Sequence, residues 1–183
     1  HGPEERKVEL EFLRRLLGLW NSLTLDITPF RDQPEERQSF VIRDGETSEF
    51  ELFLENLPYD GGTDLADVML ERTVEGKRYD LHILVSDGIG TIGKAPGIPE
   101  IPVFTLTAAG AADHTLLRHL ADTSGGAHLN LGVMTNEMAL ELVGLEPFSL
   151  LGVDYNPNEV TELYPGTRRP VTGRVHISGK LIA

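Results

Sequence analysis

Apolar residues recur along the first twenty positions at the spacing of one helical face: Val8, Phe12, Leu13, Leu16, Leu17 and Trp20. Pro3, Glu4 and Glu5 ahead of them have the chemistry of a first turn, because proline needs no amide partner there and acids favour the amino end of the dipole. The spacing predicts a helix from about Pro3 to Leu19. The period then changes to two. Leu23, Leu25 and Ile27 alternate with Thr24, Asp26 and Thr28, which predicts a strand ending near Pro29. A second short strand is expected from Ser39 to Ile42, closed by Asp44-Gly45.

Thr47 and Ser48 can cap a short helix through Leu54, and Asp64 to Arg72 reads as another with Leu65, Val68 and Met69 inward. Leu81, Ile83, Leu84 and Val85 form a nearly continuous apolar run, the pattern of a strand covered on both faces and hence of a parallel sheet. Further elements are expected in alternation: strand Val103 to Leu106, helix His114 to Thr123, strand His128 to Leu131, helix Glu137 to Val143 and strand Phe148 to Val153. Such alternation implies a doubly wound α/β fold, a mostly parallel sheet with helices on both faces. The tail differs. Val171, Gly173, Val175, Ile177, Gly179 and Leu181 alternate with polar residues, the period of a half-buried antiparallel strand. The chain therefore divides into an α/β domain over 1–158 and the start of an adjoining β domain over 159–183.

Composition narrows the partners more than the fold. The 183 residues carry a formal net charge of −13, which disfavours nucleic acid and anionic membranes and favours cations and basic surfaces. With no cysteine there is no disulfide framework, thiolate site or cysteine nucleophile. No apolar run approaches the roughly 20 residues of a membrane-spanning helix. The amino-terminal HGPEERKVEL is charged where a signal peptide is apolar, so any export signal is expected upstream, and the compartment is left open.

GIGTIG, from Gly88 to Gly93, matches the dinucleotide pattern G-x-G-x-x-G and follows a strand. That mechanism needs a helix to open at the glycines, so that its amides face a pyrophosphate. Here Pro96, Pro99 and Pro102 follow and exclude a regular helix. G-x-S-x-G, H-E-x-x-H and the phosphate loop are absent. Only His114 and His119 of the six histidines are close in sequence, and five residues apart they do not share a helix face, so surface or core roles are expected.

The informative pair is GGTDL at Gly61 to Leu65 and SDG at Ser86 to Gly88. Either alone reads as a turn or a helix cap. Together, one helix and one strand apart, they put the Thr63 hydroxyl and the Asp87 carboxylate at the end of a sheet where α/β folds gather ligands. Both are hard oxygen donors of the kind Mg²⁺ accepts.

At these residues the sequence becomes specific. DGGTDLADVML, YDLHILVSDGIGTIG, PVFTLTAAGAADHTLLRHLADTSGGAHLNL and the tail ELYPGTRRPVTGRVHISGKL resemble the von Willebrand factor type A (vWA) domain of bacterial proteins that also carry a VIT domain, relatives of the inter-alpha-trypsin inhibitor heavy chains. The resemblance runs through nearly the whole chain, most securely over about 60–131. It implies a Rossmann-like sheet of order 3-2-1-4-5-6 and a metal-ion-dependent adhesion site binding Mg²⁺ (or Mn²⁺ or Ca²⁺). A protein partner completes that site with an acidic side chain. Thr63 matches the family's second-loop threonine and Asp87 its third-loop aspartate. The family's D-x-S-x-S segment, which directly precedes the first long helix, is not in this sequence, so the first central strand is expected to be missing from the sheet and metal binding to be weak.

The expected function is thus a non-enzymatic interaction module of a larger, multidomain bacterial protein, contacting its partner and its own adjoining domains. Two rivals are a structural spacer without a working metal site and a metal-assisted hydrolase using the same acidic strand ends. The second would need a positioned base or nucleophile near Asp87, and the sequence offers no convincing one.

Overall fold

The computed structural model describes residues 2–30, 34–57, 65, 68, 70, 72–89, 99–144, 148–150, 152–164, 169–171 and 175–182. Helix α1 spans Pro3–Leu17, followed by β1 (Ser22–Ile27), β2 (Gln38–Arg43) and α2 (Ser48–Asn56). A short hairpin, β3 (Thr73–Val74) and β4 (Lys77–Arg78), precedes β5 (His82–Val85), β6 (Val103–Thr107), α3 (His114–Ser124), β7 (His128–Asn130) and α4 (Asn136–Gly144). The tail holds β8 (Phe148–Leu150), β9 (Val160–Tyr164), β10 (Arg169–Val171) and β11 (Ser178–Leu181).

The protein is mixed α/β, built on a three-stranded parallel sheet of order β5-β6-β7 and four helices among the described residues. Strand β6 explains why this sheet forms. All five of its residues are buried, and alternate side chains enter different cores. Phe104 and Leu106 pack with Phe12, Leu13, Leu16 and Leu17 of α1, while Val103 packs with Leu117 and Leu120 of α3. Each such fully buried side chain contributes about 2–3 kcal/mol of transfer free energy. Covered on both faces, the strand keeps its two threonines because each hydroxyl is hydrogen-bonded: Thr105 Oγ1 donates to the Leu117 carbonyl and Thr107 Oγ1 accepts from Ala109 N.

Most elements lie where the hydrophobic pattern puts them, and the departures have local causes. Helix α1 stops at Leu17, two residues early, because Gly18 follows. Its buried face is the expected stripe of Phe12, Leu13, Leu16 and Leu17, but extended upstream by the charged Glu9, 3% exposed, and not by Val8, which is 41% exposed at the edge of the stripe. Of the expected helix Asp64 to Arg72, only Leu65, Val68, Leu70 and Arg72 are described; none is helical, and Leu65 and Leu70 are buried against Leu84 and α3.

The expectation of one mostly parallel sheet is met only in part. β1 pairs antiparallel with β2 in a sheet of its own, and it does not pair with β5. Nor is the tail one continuous strand from Val171 to Leu181. β10 pairs antiparallel with β8, and β11 pairs antiparallel with β9. Alternation persists through both pieces, but a period of two carries no information about which neighbour a strand adopts. The β8–β10 ladder also links residues on either side of the expected boundary at 158/159. The β9–β11 pair is exposed, with Tyr164 at 63% and Leu181 at 79%, and leaves apolar surface open.

Candidate site at the carboxyl end of the parallel sheet

Strand β5 delivers Asp87 to the carboxyl end of the sheet, two residues beyond Val85. The S-D-G turn that holds it is pinned from several directions. Ser86 Oγ accepts from Gly88 N at 3.0 Å, and Asp87 Oδ1 accepts from Ile89 N at 3.0 Å. The Asp87 carbonyl accepts from Asp113 N at 2.7 Å, which ties the turn to the start of α3. Gly88 has φ +72°, and a Cβ there would stand 2.9 Å from Leu117 Cγ and 3.2 Å from the Asp113 carbonyl. The glycine after Asp87 therefore has a structural reason: it lets α3 approach while the chain turns through a left-handed conformation.

Helix α1 brings two further carboxylates to the same end. Glu9 Oε1 accepts from Ala108 N at 2.8 Å, just past β6, and Glu5 Oε1 accepts from Gly110 N at 3.4 Å. Burial pushes the Glu9 carboxyl up to about 7, opposed by the Ala108 hydrogen bond and reinforced by the charges of Glu5 and Asp87. The Glu5 carboxyl is lowered by its hydrogen bonds from Gly2 and Gly110. Glu9 falls in the middle of the apolar stripe of α1, three and four residues ahead of Phe12 and Leu13, and the amide it meets after β6 gives the buried carboxyl a partner there.

No family model, curated protein or solved structure matches this chain.

Thr63, the other expected ligand, and Gly90 to Gly93 of the GIGTIG stretch lie outside the described residues. Among the described residues no group of three or more His, Cys, Asp or Glu is placed to hold a metal ion. The donors that do gather at this end, Asp87 and Glu9, are carboxylate oxygens and fit a hard cation rather than a soft one.

The histidine pairing differs from what spacing suggests. His114, at the first turn of α3, meets His128 on β7, with Nδ1 3.0 Å from Nε2. Thr105 Oγ1 donates to the Leu117 carbonyl at 3.1 Å, so toward His128 Nδ1, 2.9 Å away, it acts as acceptor. That fixes His128 with its proton on Nδ1, and leaves Nε2 to accept from His114 Nδ1–H. His119 is exposed on α3. Fourteen residues separate the paired rings, and only the α3 crossover between adjacent parallel strands brings them together.

Burial lowers the His128 imidazole to about 4 from 6.5, helped by His114 and Arg118. A folded value below the unfolded one means this group's stability contribution is full above pH 6.5 and is lost as pH falls toward 4. His128→Gln should therefore flatten the acid side of the stability profile in that window, removing a loss of about 2–3 kcal/mol. Urea unfolding of both proteins at stepwise pH reads the difference; parallel profiles would show that His128 titrates normally.

Proposed function

We propose that this chain is a non-enzymatic, vWA-like protein-interaction module, with Asp87 and Thr63 as the residues that hold a divalent cation for a partner's acidic side chain. The observation that carries the reading is the position of Asp87, immediately past a strand of the parallel sheet and locked in its turn, at the sheet end where α/β folds bind ligands. The sheets support it as well. β2-β1 and β5-β6-β7 are the strands that a doubly wound order 3-2-1-4-5-6 would set on either side of its first strand. When bound, Mg²⁺, or Mn²⁺ or Ca²⁺ in its place, supplies a positive charge that a carboxylate from another protein can ligate directly. The chain's own part is to hold Asp87 and the threonine in fixed positions and to keep the neighbouring Glu9 buried.

Titration calorimetry tests this on two proteins: the present chain, and one with a D-x-S-x-S-bearing strand joined ahead of α1. Mg²⁺ or Mn²⁺ should bind the first weakly and the second at least about tenfold tighter, since Mg²⁺ dehydrates reluctantly and needs several oxygens. Thr63→Ala and Asp87→Ala should each abolish the gain. Equal binding by both proteins, untouched by Thr63→Ala, would remove the assignment.

A further inference from the structure

His114 stands at the first turn of α3 and His128 at the start of β7, with His114 Nδ1 3.0 Å from His128 Nε2 and the ring centroids 5.3 Å apart. That separation suits more than a shared proton. Two imidazole nitrogens, each about 2.0–2.1 Å from one metal ion, lie about 3.3 Å apart at a tetrahedral angle and about 2.9 Å apart at a right angle. The observed distance falls between these values. A metal would sit to one side of the line joining the nitrogens, so one of the rings has to turn toward it.

His128 is the fixed half of the pair. It is 7% exposed, and its Nδ1–H donates to Thr105 Oγ1 at 2.9 Å, which orients the ring and aims the Nε2 lone pair at His114. A protein oxygen on the far nitrogen is the usual partner of a metal-bound histidine, because it sets the tautomer and strengthens the donor. Burial, which lowers this imidazole to about 4, also keeps the lone pair unprotonated at neutral pH.

His114 is the half that can turn. It is half-buried, and Asn130 Nδ2 lies 3.5 Å from each of its ring nitrogens, in line with neither lone pair. The proton on Nδ1 can leave while Nε2 takes one from water, so the ring stays neutral and Nδ1 offers a lone pair. Arg118, one turn further along α3, opposes positive charge at His128. This disfavours Mg²⁺ and Ca²⁺, which prefer oxygen donors, and favours a metal that bonds strongly to imidazole.

We propose that His114 and His128 form a binding site for an imidazole-preferring divalent metal of the Zn²⁺ class, with water completing its coordination. The metal joins the start of α3 to β7 in place of the proton that the two rings share. It uses neither Asp87 nor Thr63 and goes beyond the cation reading, so either can fail without the other.

The test is a Zn²⁺ titration of the full chain in excess Mg²⁺, followed by the nitrogen-15 shifts of the imidazoles, which distinguish each ring and each nitrogen. Zn²⁺ should move His128 Nε2 and His114 Nδ1 together and saturably, leave His128 Nδ1 protonated, and convert His114 to its Nε2–H form. Mg²⁺ alone should move neither ring. His114→Gln should weaken Zn²⁺ binding at His128 at least about tenfold, because it removes one of two protein ligands. His119→Gln, on an exposed position of the same helix, should leave it unchanged. Zn²⁺ shifts confined to other imidazoles, undiminished affinity at His128 after His114→Gln, or the same response to Mg²⁺ would overturn the proposal. The shifts are read on the unaltered chain, so the outcome does not depend on the folding of a variant.

Discussion

Gly126→Ala is expected to cost about 4 kcal/mol of stability, at the upper end of single-substitution effects. Gly126 joins α3 to β7, and a Cβ there would stand 2.0 Å from the Val103 carbonyl oxygen and 2.5 Å from its carbon. Those are backbone atoms at the start of the fully buried β6, so no side-chain rotation relieves the clash. The chain would have to shift β7 away from β6, disturbing the bond from Thr105 N to Ala127 O at 3.1 Å and the one from Leu131 N to Thr107 O at 2.8 Å. Gly125, next to it, is the control. It caps α3 with φ +96° and has open space around it, so Gly125→Ala meets only the left-handed penalty of about 1–2 kcal/mol. Urea unfolding of the two variants measures the contrast. Equal losses would mean that helix capping, not the close approach to β6, governs this turn.

Glu9→Gln should stabilise the protein by about 2 kcal/mol at pH 8, and by almost nothing at pH 4.5. The folded carboxyl, at about 7, lies above its ordinary 4.5. Its favourable contribution is therefore complete below pH 4.5 and is lost as pH rises through 7. Gln keeps an oxygen to accept from Ala108 N and never ionises, so it removes the cost of a buried charge beside Glu5 and Asp87. The full shift corresponds to about 3 kcal/mol, reduced by relaxation around the ionised form. Unfolding is best followed in EDTA, which holds any cation away from Asp87. A Glu9→Gln effect that does not change with pH would show that Glu9 is already ionised without penalty in the native state.

The two titrations oppose each other. Between pH 7 and 4.5 the native state gains from protonating Glu9, and over much of the same range it loses from the buried His128. The parent protein should accordingly show a shallow profile, with Glu9→Gln exposing the histidine loss and His128→Gln exposing the glutamate gain. Glu9 and His128 sit on different elements, so the two effects should add.

What the sequence determined by itself was the inventory. Period and punctuation located α1, β1, β2, β5, β6, α3, β7 and α4 to within about two residues, because burial on one or two faces is a local property written in the order of apolar and polar residues. The carboxyl-end position of Asp87 was legible for the same reason, as the first acid beyond the apolar run of β5. Tertiary structure decided everything that depends on which neighbour an element finds. β1 with its edge open to β5, the tail split between β8 and β9, and the His114–His128 contact are choices among partners distant in sequence, and a period of two or 3.6 is the same for any partner. Glu9 shows the limit most plainly: helical spacing sets it in the apolar stripe of α1, but that a carboxyl can be buried there depends on the amide of Ala108, ninety-nine residues away in sequence, which donates to it.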